Sequence, residues 1–305
     1  MAGNTNIEWT DRSWNSIVGC SVVSPGCTNC YAMRMATRLE RISREPGHKN
    51  GLDHYRDLTQ PSKAGPVWTG KVALAPDHIL MAPMRWKKPV RIFVNSMGDL
   101  FHESIPDEWI DRVFAVMALA PQHTFQVLTK RSKQMRRYFQ IDAKHDYQDR
   151  VGNQAETMPE LARALKLHGY SRRIRWPLKN VWLGVSAEDQ ERADERIPDL
   201  LATPAAVRFV SAEPLLGPID LDGYLHDLDC GDGLDWVIVG GESGKGARTM
   251  DLAWARSIIA QCRNAGVACF MKQLGSATGF NLHDRKGGDP NEWAADLRVQ
   301  EMPVR

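Results

Sequence analysis

Three cysteines, Cys20, Cys27 and Cys30, fall within eleven residues at the spacing C-x6-C-x2-C, on the stretch Gly19-Cys20-Ser21-Val22-Val23-Ser24-Pro25-Gly26-Cys27-Thr28-Asn29-Cys30-Tyr31-Ala32. The two glycines and the proline make this stretch a loop. Thiolates are soft ligands, and three of them on one loop bind a metal ion or an iron–sulfur cluster with one coordination position left open. A structural zinc site needs a fourth protein ligand, and the nearest histidines, His48 and His54, stand at no usual spacing from the loop. From spacing alone, zinc and cluster both stay open. Buried structural cysteines are the third reading, and a Gly/Pro loop suits them poorly.

Other residues able to do chemistry recur in a pattern. Val90–Val94 is a short apolar run that ends in Asn95-Ser96-Met97-Gly98-Asp99, and Phe125–Leu128 runs into Thr129-Lys130-Arg131. Val181–Val185 runs into Ser186-Ala187-Glu188-Asp189, Val207–Val210 into Ser211-Ala212-Glu213-Pro214, and Trp236–Val239 into Gly240-Gly241-Glu242-Ser243. Ala268–Met271 runs into Lys272-Gln273 as a further strand. Helical periodicity follows several runs, over Asp107–Leu119, Gln190–Leu201 and Leu252–Ala265. Pro106-Asp107-Glu108 is a helix-start signal for the first of these.

Apolar strands alternating with helices imply a parallel sheet covered on both faces. In such folds ligands bind beyond the C-terminal ends of the strands. Asp99, Lys130, Ser186, Glu188, Glu213 and Glu242 all fall there, so they are candidate site residues. Taken one at a time, each is also readable as a strand-end salt bridge. Trp14–Val18 is expected to be the first strand, ahead of the cysteine loop. Tyr31–Arg44 is expected to be a helix with Tyr31, Met35, Leu39 and Ile42 on its inner face. The strand count suits a partial (β/α)6-like parallel barrel, in one domain over residues 1–280 with a tail over 281–305. Insertions are expected near 47–78, 139–178 and 221–235. Residues 47–67 read as an irregular excursion, residues 79–86 as a short helix, and residues 159–167 as a helical pattern.

The loop, the strand order and the strand-end residues together resemble the radical S-adenosylmethionine superfamily. Gly19-Cys20, Gly26-Cys27-Thr28-Asn29-Cys30-Tyr31-Ala32, Lys130 after Leu-Thr and Gly240-Gly241-Glu242 are similar to a phage-associated family of unknown function, from about Trp9 to Gly275. Motif-level similarity extends to the spore photoproduct lyase branch. The superfamily's usual spacing is C-x3-C-x2-C, from which this chain departs by its longer first gap. The resemblance implies a TIM-barrel-like fold and a 4Fe-4S cluster held by Cys20, Cys27 and Cys30. It further implies S-adenosylmethionine, a reducing electron donor, and abstraction of a hydrogen from a substrate such as a nucleic acid or nucleoside. Asp99 would then meet the methionine ammonium, Lys130 its carboxylate, and Ser186 and Glu188 the ribose, with Glu213 and Glu242 on cofactor or substrate. Cys230, in an acidic loop, would be a candidate hydrogen-atom donor, and reads more simply as an ordinary loop cysteine. Cys262 and Cys269 fall in a helix and a strand and read as core residues.

Two other readings bear on function. Gly240–Gly246 lacks the pattern of a P-loop, since Val239 and Gly246 stand where glycine and Ser or Thr are required. Thirteen Lys or Arg against five Asp or Glu lie between Thr124 and Asn180, and Lys130–Tyr138 with Arg172, Arg173, Arg175 and Trp176 mixes cations with aromatic rings. Such a surface grips phosphates and stacks bases, or is simply a solvated face. The alternative function is therefore a zinc-stabilised α/β protein that binds nucleic acid or a partner without catalysis.

Composition sets the frame. Of 305 residues, 43% are hydrophobic and 25% charged, with a net charge of +2, as in a globular α/β protein. No apolar run reaches the roughly eighteen residues of a membrane span, and the polar start lacks a signal-peptide core. The expected compartment is cytoplasmic, where clustered cysteines are metal-binding or catalytic more often than disulfide-bonded.

Overall fold

The computed structural model describes residues 2–45, 51–140, 146–157, 159, 162–163, 176–225 and 233–304. The chain is mixed α/β, and its contacts divide it into two units. The first comprises Met1–Val22, Tyr31–Trp182 and Thr203–Ala206, and the second Val23–Cys30, Leu183–Ala202 and Val207–Arg305. Eight strands, four to each unit, make a mostly parallel sheet framework. Neither set of four closes on itself among the described residues, so of the expected barrel the structure carries the parallel α/β framework. No described helix is long and apolar enough to cross a membrane.

The first unit contains β1 (Ala2–Asn4), β2 (Arg12–Trp14), β3 (Ile17–Val18), α1 (Tyr31–Ser43), β4 (Thr59–Ser62), β5 (Gly65–Trp68) and β6 (Ala73–Leu74). It continues with α2 (Asp77–Leu80), α3 (Ala82–Arg85), β7 (Arg91–Val94), α4 (Asp107–Ala118), β8 (Thr124–Thr129), α5 (Ser132–Phe139) and α6 (Tyr147–Thr157). The sheet order is β1-β2-β7-β8, with β2, β7 and β8 parallel and β1 antiparallel at the edge. Trp14 and Phe125 meet in its core, 5.7 Å between ring centroids. Phe101, Phe114, Tyr138, Phe139 and Trp176 form a second aromatic cluster.

Four local expectations are corrected here. The strand expected over Trp14–Val18 is two strands, because the Asn15 side chain leaves the ladder to accept from Met97 N–H at 2.9 Å. Asn95 answers by accepting from Ile17 N–H at 3.2 Å, and β3 then pairs with β6 instead. Helix α1 has the expected length, but it buries Ala32, Met33, Ala36, Leu39 and Ser43. Tyr31 stays 53% exposed while its hydroxyl donates to Ser96 O at 3.0 Å. The excursion at 47–67 contains the antiparallel hairpin β4–β5, and the helix expected over 79–86 is broken into α2 and α3 beside Pro83.

The second unit contains β9 (Val181–Ser186, which begins in the first unit), α7 (Gln190–Leu201), β10 (Val207–Ala212), β11 (Trp236–Gly240), α8 (Leu252–Ala265) and β12 (Ala268–Gln273). Its order is β9-β10-β11-β12, and β10, β11 and β12 run parallel. Both helices start on a capping carboxylate: Asp189 accepts from Arg192 N–H and Asp251 from Ala253 N–H. The tail comes back antiparallel to β12, where Met271 N–H donates to Val299 O at 2.7 Å and Glu301 N–H to Cys269 O at 2.9 Å. That covers an edge otherwise open to pairing with another chain.

Pro46, Gly47, Cys230, Arg172, Arg173 and Arg175 lie outside the described residues, and the helical pattern expected over 159–167 is described at 159 and 162–163 alone.

Candidate functional site

In the first unit, the ends of β7 and β8 organise one polar cluster. Asp99 is buried and uses both carboxylate oxygens. Oδ1 accepts from Thr129 Oγ1 at 2.6 Å and Phe101 N–H at 3.0 Å. Oδ2 accepts from Lys130 N–H and Arg131 Nη1, each at 3.0 Å. The cation in this network is therefore Arg131, while Lys130 contributes its backbone. Arg131 also donates to Glu103 at 2.9 Å, to Ser21 Oγ at 2.7 Å and to Cys20 Sγ at 3.5 Å. Burial alone would lower the Arg131 guanidinium, but Asp99, Cys20 and Glu103 outweigh it and push it further up. It is a fixed positive charge beside the first cysteine.

His102 completes the cluster. Its Nδ1 accepts from Ser104 N–H at 3.1 Å, so the neutral ring carries its proton on Nε2 and donates to Ser21 Oγ at 3.0 Å. Burial, then the charge of Arg131, holds His102 below the usual imidazole range. Gly19, just before Cys20, takes φ +93°, and a Cβ there would sit 2.1 Å from Lys71 O. Glycine is required at that turn.

In the second unit, two buried carboxylates grip the loop that carries Cys27 and Cys30. Pro25–Cys27 forms a single 3-10 turn, and Gly26 N–H donates to Glu188 Oε1 at 3.0 Å. Glu188 is fully buried and its other oxygen takes Arg196 at 3.1 Å, while Arg196 also donates to Ser186 O at 2.7 Å. On the other flank Asn29 Nδ2 donates to Glu242 Oε2 at 2.9 Å and to Gly246 O at 2.8 Å. Arg248 donates to Glu242 and reaches Pro25 O at 3.0 Å. Burial would raise the Glu242 carboxyl, yet its bonds to Arg248 and Asn29 hold it below the usual range. Glu213 pairs with Lys272 at 2.7 Å, both part-exposed. Its carboxylate lies where a Cβ on Gly240 would come within 2.8 Å.

The expected site residues thus stand in two groups, Cys20, Asp99 and Lys130 in the first unit and Cys27, Cys30, Ser186, Glu188, Glu213 and Glu242 in the second. Sequence reasoning missed Arg196, Arg248, Lys272 and Asn29 as partners and singled out Lys130 where Arg131 makes the contacts. Arg131 was visible beside Lys130 at the end of the β8 run, Lys272 at the end of the β12 run and Asn29 within the cysteine motif; Arg196 and Arg248 carry no local signal.

The donor chemistry of the loop suits a thiophilic metal centre. Cys20, Cys27 and Cys30 are all thiols in no disulfide, with Cys27 buried and the other two part-buried. Among the described residues no three His, Cys, Asp or Glu side chains are gathered as a preformed metal site.

Residues 4–298 match the model of a family described as "Protein of unknown function (DUF5131)". No curated protein and no solved structure matches the chain.

Proposed function

The chain belongs to the DUF5131 family, and from its site we propose an iron–sulfur radical enzyme that cleaves S-adenosylmethionine reductively and abstracts a hydrogen from its substrate. The observation that carries this reading is the grip on the cysteine loop. Glu188 holds Gly26 and Glu242 holds Asn29, the residues just before Cys27 and Cys30. Two buried carboxylates that fix the stretch carrying Cys27 support a reading in which its thiols serve as ligands.

In this reading Cys20, Cys27 and Cys30 hold a 4Fe-4S cluster. A cluster and S-adenosylmethionine bound there would supply one-electron reductive chemistry. The chain's own residues orient and enclose. Arg131 keeps a positive charge beside Cys20, which favours its thiolate as ligand. Asp99 and Lys130 are the candidates for the methionine end, Ser186 and Glu188 for the ribose, and Glu242 for cofactor or substrate. Asp99, Glu188 and Glu242 already hold protein donors with both oxygens, so they act mainly by setting the strand ends and the loop. Glu213 and Lys272, part-exposed, can exchange their mutual contact for polar groups of a ligand. A partial (β/α)6-like barrel, a cytoplasmic setting, a reducing electron donor and a nucleic acid or nucleoside substrate belong to the same proposal. The candidate role of Cys230 as hydrogen-atom donor does too.

Anaerobic reconstitution with iron and sulfide tests it. The expected product contains about four irons per chain and releases 5′-deoxyadenosine from S-adenosylmethionine when dithionite is present. Stoichiometric zinc with no iron would overturn the proposal in favour of a zinc-stabilised binding protein.

A further inference from the structure

Helix α1 begins directly after Cys30 and presents two faces of different character. Ala32, Met33, Ala36, Leu39 and Ser43 are its buried residues. Tyr31, Arg34, Arg38 and Arg41 are exposed, and their spacings of three, four and three put them on one stripe about 15 Å long. The helix has a single acid, Glu40, which lies off the stripe and accepts from Arg44 at 2.7 Å and from Asp57 N–H at 3.2 Å. Thr37 meets Thr59 of the β4–β5 hairpin, 2.8 Å between hydroxyl oxygens, so the hairpin flanks the stripe without covering it. Among the described residues, no ion pair or hydrogen bond engages the side chain of Arg38 or Arg41. Tyr31 is 53% exposed, and its hydroxyl, donating to Ser96 O at 3.0 Å, tethers the ring at its tip.

The basic segment on α5 is built differently. There Arg131 is buried against Asp99 and Glu103, and Arg137 pairs with Asp107 at 3.3 Å. Tyr138 is buried and donates to Asp111 at 2.7 Å, while Trp176 stacks on Phe139. The rings of that segment serve the core, and Lys133 and Arg136 are exposed without them. Exposed cations beside an exposed ring are found on α1 instead.

We propose that the outer face of α1 is a docking surface for single-stranded nucleic acid, with Arg34, Arg38 and Arg41 on the phosphates and a base stacked on Tyr31. Guanidinium groups match phosphate oxygens as planar forks, and three along one face follow a backbone rather than a single anion. Stacking on a tyrosine ring needs a base released from pairing, which selects a single strand over a duplex. The tether to Ser96 holds the ring before the base arrives, so little freedom is lost on stacking. None of the aliphatic side chains of α1 is exposed, whereas a helix that lies on a lipid surface needs an exposed apolar face. The proposal names the surface for the nucleic-acid substrate of the function proposed above and rests on that reading for its purpose alone, since the binding itself needs no cluster.

Fluorescence anisotropy tests it, with the full chain and a labelled single strand of about 16 nucleotides, as DNA and as RNA of the same sequence. Binding of either strand is expected, weakening with salt. Joint replacement Arg34→Gln, Arg38→Gln and Arg41→Gln keeps good helix formers on an exposed face, so melting should be unchanged. That variant should bind roughly tenfold or more weakly, and the slope of log affinity against log salt should fall in magnitude by about 2. Tyr31→Leu should weaken binding of the strand by about fivefold or more and leave binding of inorganic polyphosphate as it was. Tyr31→Phe, which keeps the ring, should lie closer to wild type. The proposal is overturned if neither strand binds, or if the arginine variant binds as wild type does. It is also overturned if Lys133→Gln with Arg136→Gln costs as much as the changes on α1, or if Tyr31→Leu weakens strand and polyphosphate alike. The outcome is separate from that of reconstitution: a chain that takes no iron can still bind the strand through α1. A chain that builds its cluster and binds no strand keeps the radical chemistry and loses this surface.

Discussion

Glu188 accepts the backbone N–H of Gly26 at 3.0 Å across a sequence separation of 162 residues. A fully buried carboxylate is costly unless its charge is paired and its lone pairs are filled. Here Arg196 supplies the charge and the cysteine loop supplies a donor. Glu242 repeats the device on the other flank through Asn29 and Arg248. The loop is held from β9 on one side and β11 on the other.

Replacing Glu188 by glutamine keeps the shape but leaves the Arg196 charge buried without its counterion. Breaking a buried pair from one side costs about 3–5 kcal/mol, so urea unfolding of Glu188→Gln should show a loss on the order of 3 kcal/mol. The Gly26 amide should also exchange faster with deuterium. Adding Arg196→Met should restore much of the stability, since the stranded charge is then gone. A single variant within about 0.5 kcal/mol of wild type would falsify the latch.

Glu242 predicts a pH dependence. Its folded-state pKa lies below the ordinary 4.5 because Arg248 and Asn29 favour the charged form over the opposing effect of burial. Below 4.5 the unfolded chain therefore binds the proton more readily. The stabilisation is present in full above 4.5 and is lost as pH falls through the lower folded value. Glu242→Gln should flatten the acid limb of a plot of unfolding free energy against pH. Parallel limbs for variant and wild type would show that the carboxylate is not held in this way.

The alternation of apolar runs with helices was legible because parallel strands buried on both faces keep few polar positions, such as Gln126 and Arg208, to blur them. The bounds of α7 and α8 were legible in the helical periodicity, and Asp189 and Asp251 cap them locally. Strand β1 escaped because Ala2-Gly3-Asn4 has no apolar pattern at all, and it pairs only as an edge. The hairpin β4–β5 was hidden by Pro61, Gly65 and Pro66, which read as breakers yet suit an isolated two-stranded ribbon. The face of α1 was read one residue off, since Tyr31 is large and apolar in body while its hydroxyl draws it outward to Ser96. The cysteine loop was plain in sequence, but its anchors were not. A bond such as Glu188 to Gly26 joins positions far apart in the chain, and nothing local to either residue announces the other.

His54 gives a second pH test of opposite chemical type. Burial is the main reason that its pKa falls from 6.5 to about 4. The ring is kept neutral in the folded chain and takes a proton in the unfolded one between those values. Stability from this group is complete above 6.5 and falls as pH drops toward 4. His54→Gln should show a shallower loss of melting temperature between those limits than wild type. An unchanged slope would remove His54 from the acid response.

Cys27→Ala separates the two metal readings by folding as well as by metal content. Zinc in a structural site contributes folding energy outright, so loss of a ligand there unfolds the module. In the radical-enzyme reading the segment around Cys27 is already held by Glu188 at Gly26 and Glu242 at Asn29, and the parallel strands pack without it. Cys27→Ala should then lose its iron and its cleavage of S-adenosylmethionine. Its far-ultraviolet circular dichroism and cooperative melting should persist, with a destabilisation of about 1–2 kcal/mol for a small buried side chain. Deuterium exchange at the Gly26 amide should stay slow, because its bond to Glu188 does not pass through the thiol. Collapse of the melting transition in this variant, with zinc bound to wild type and no iron, would place the loop among structural zinc sites and leave the two carboxylates as its scaffold.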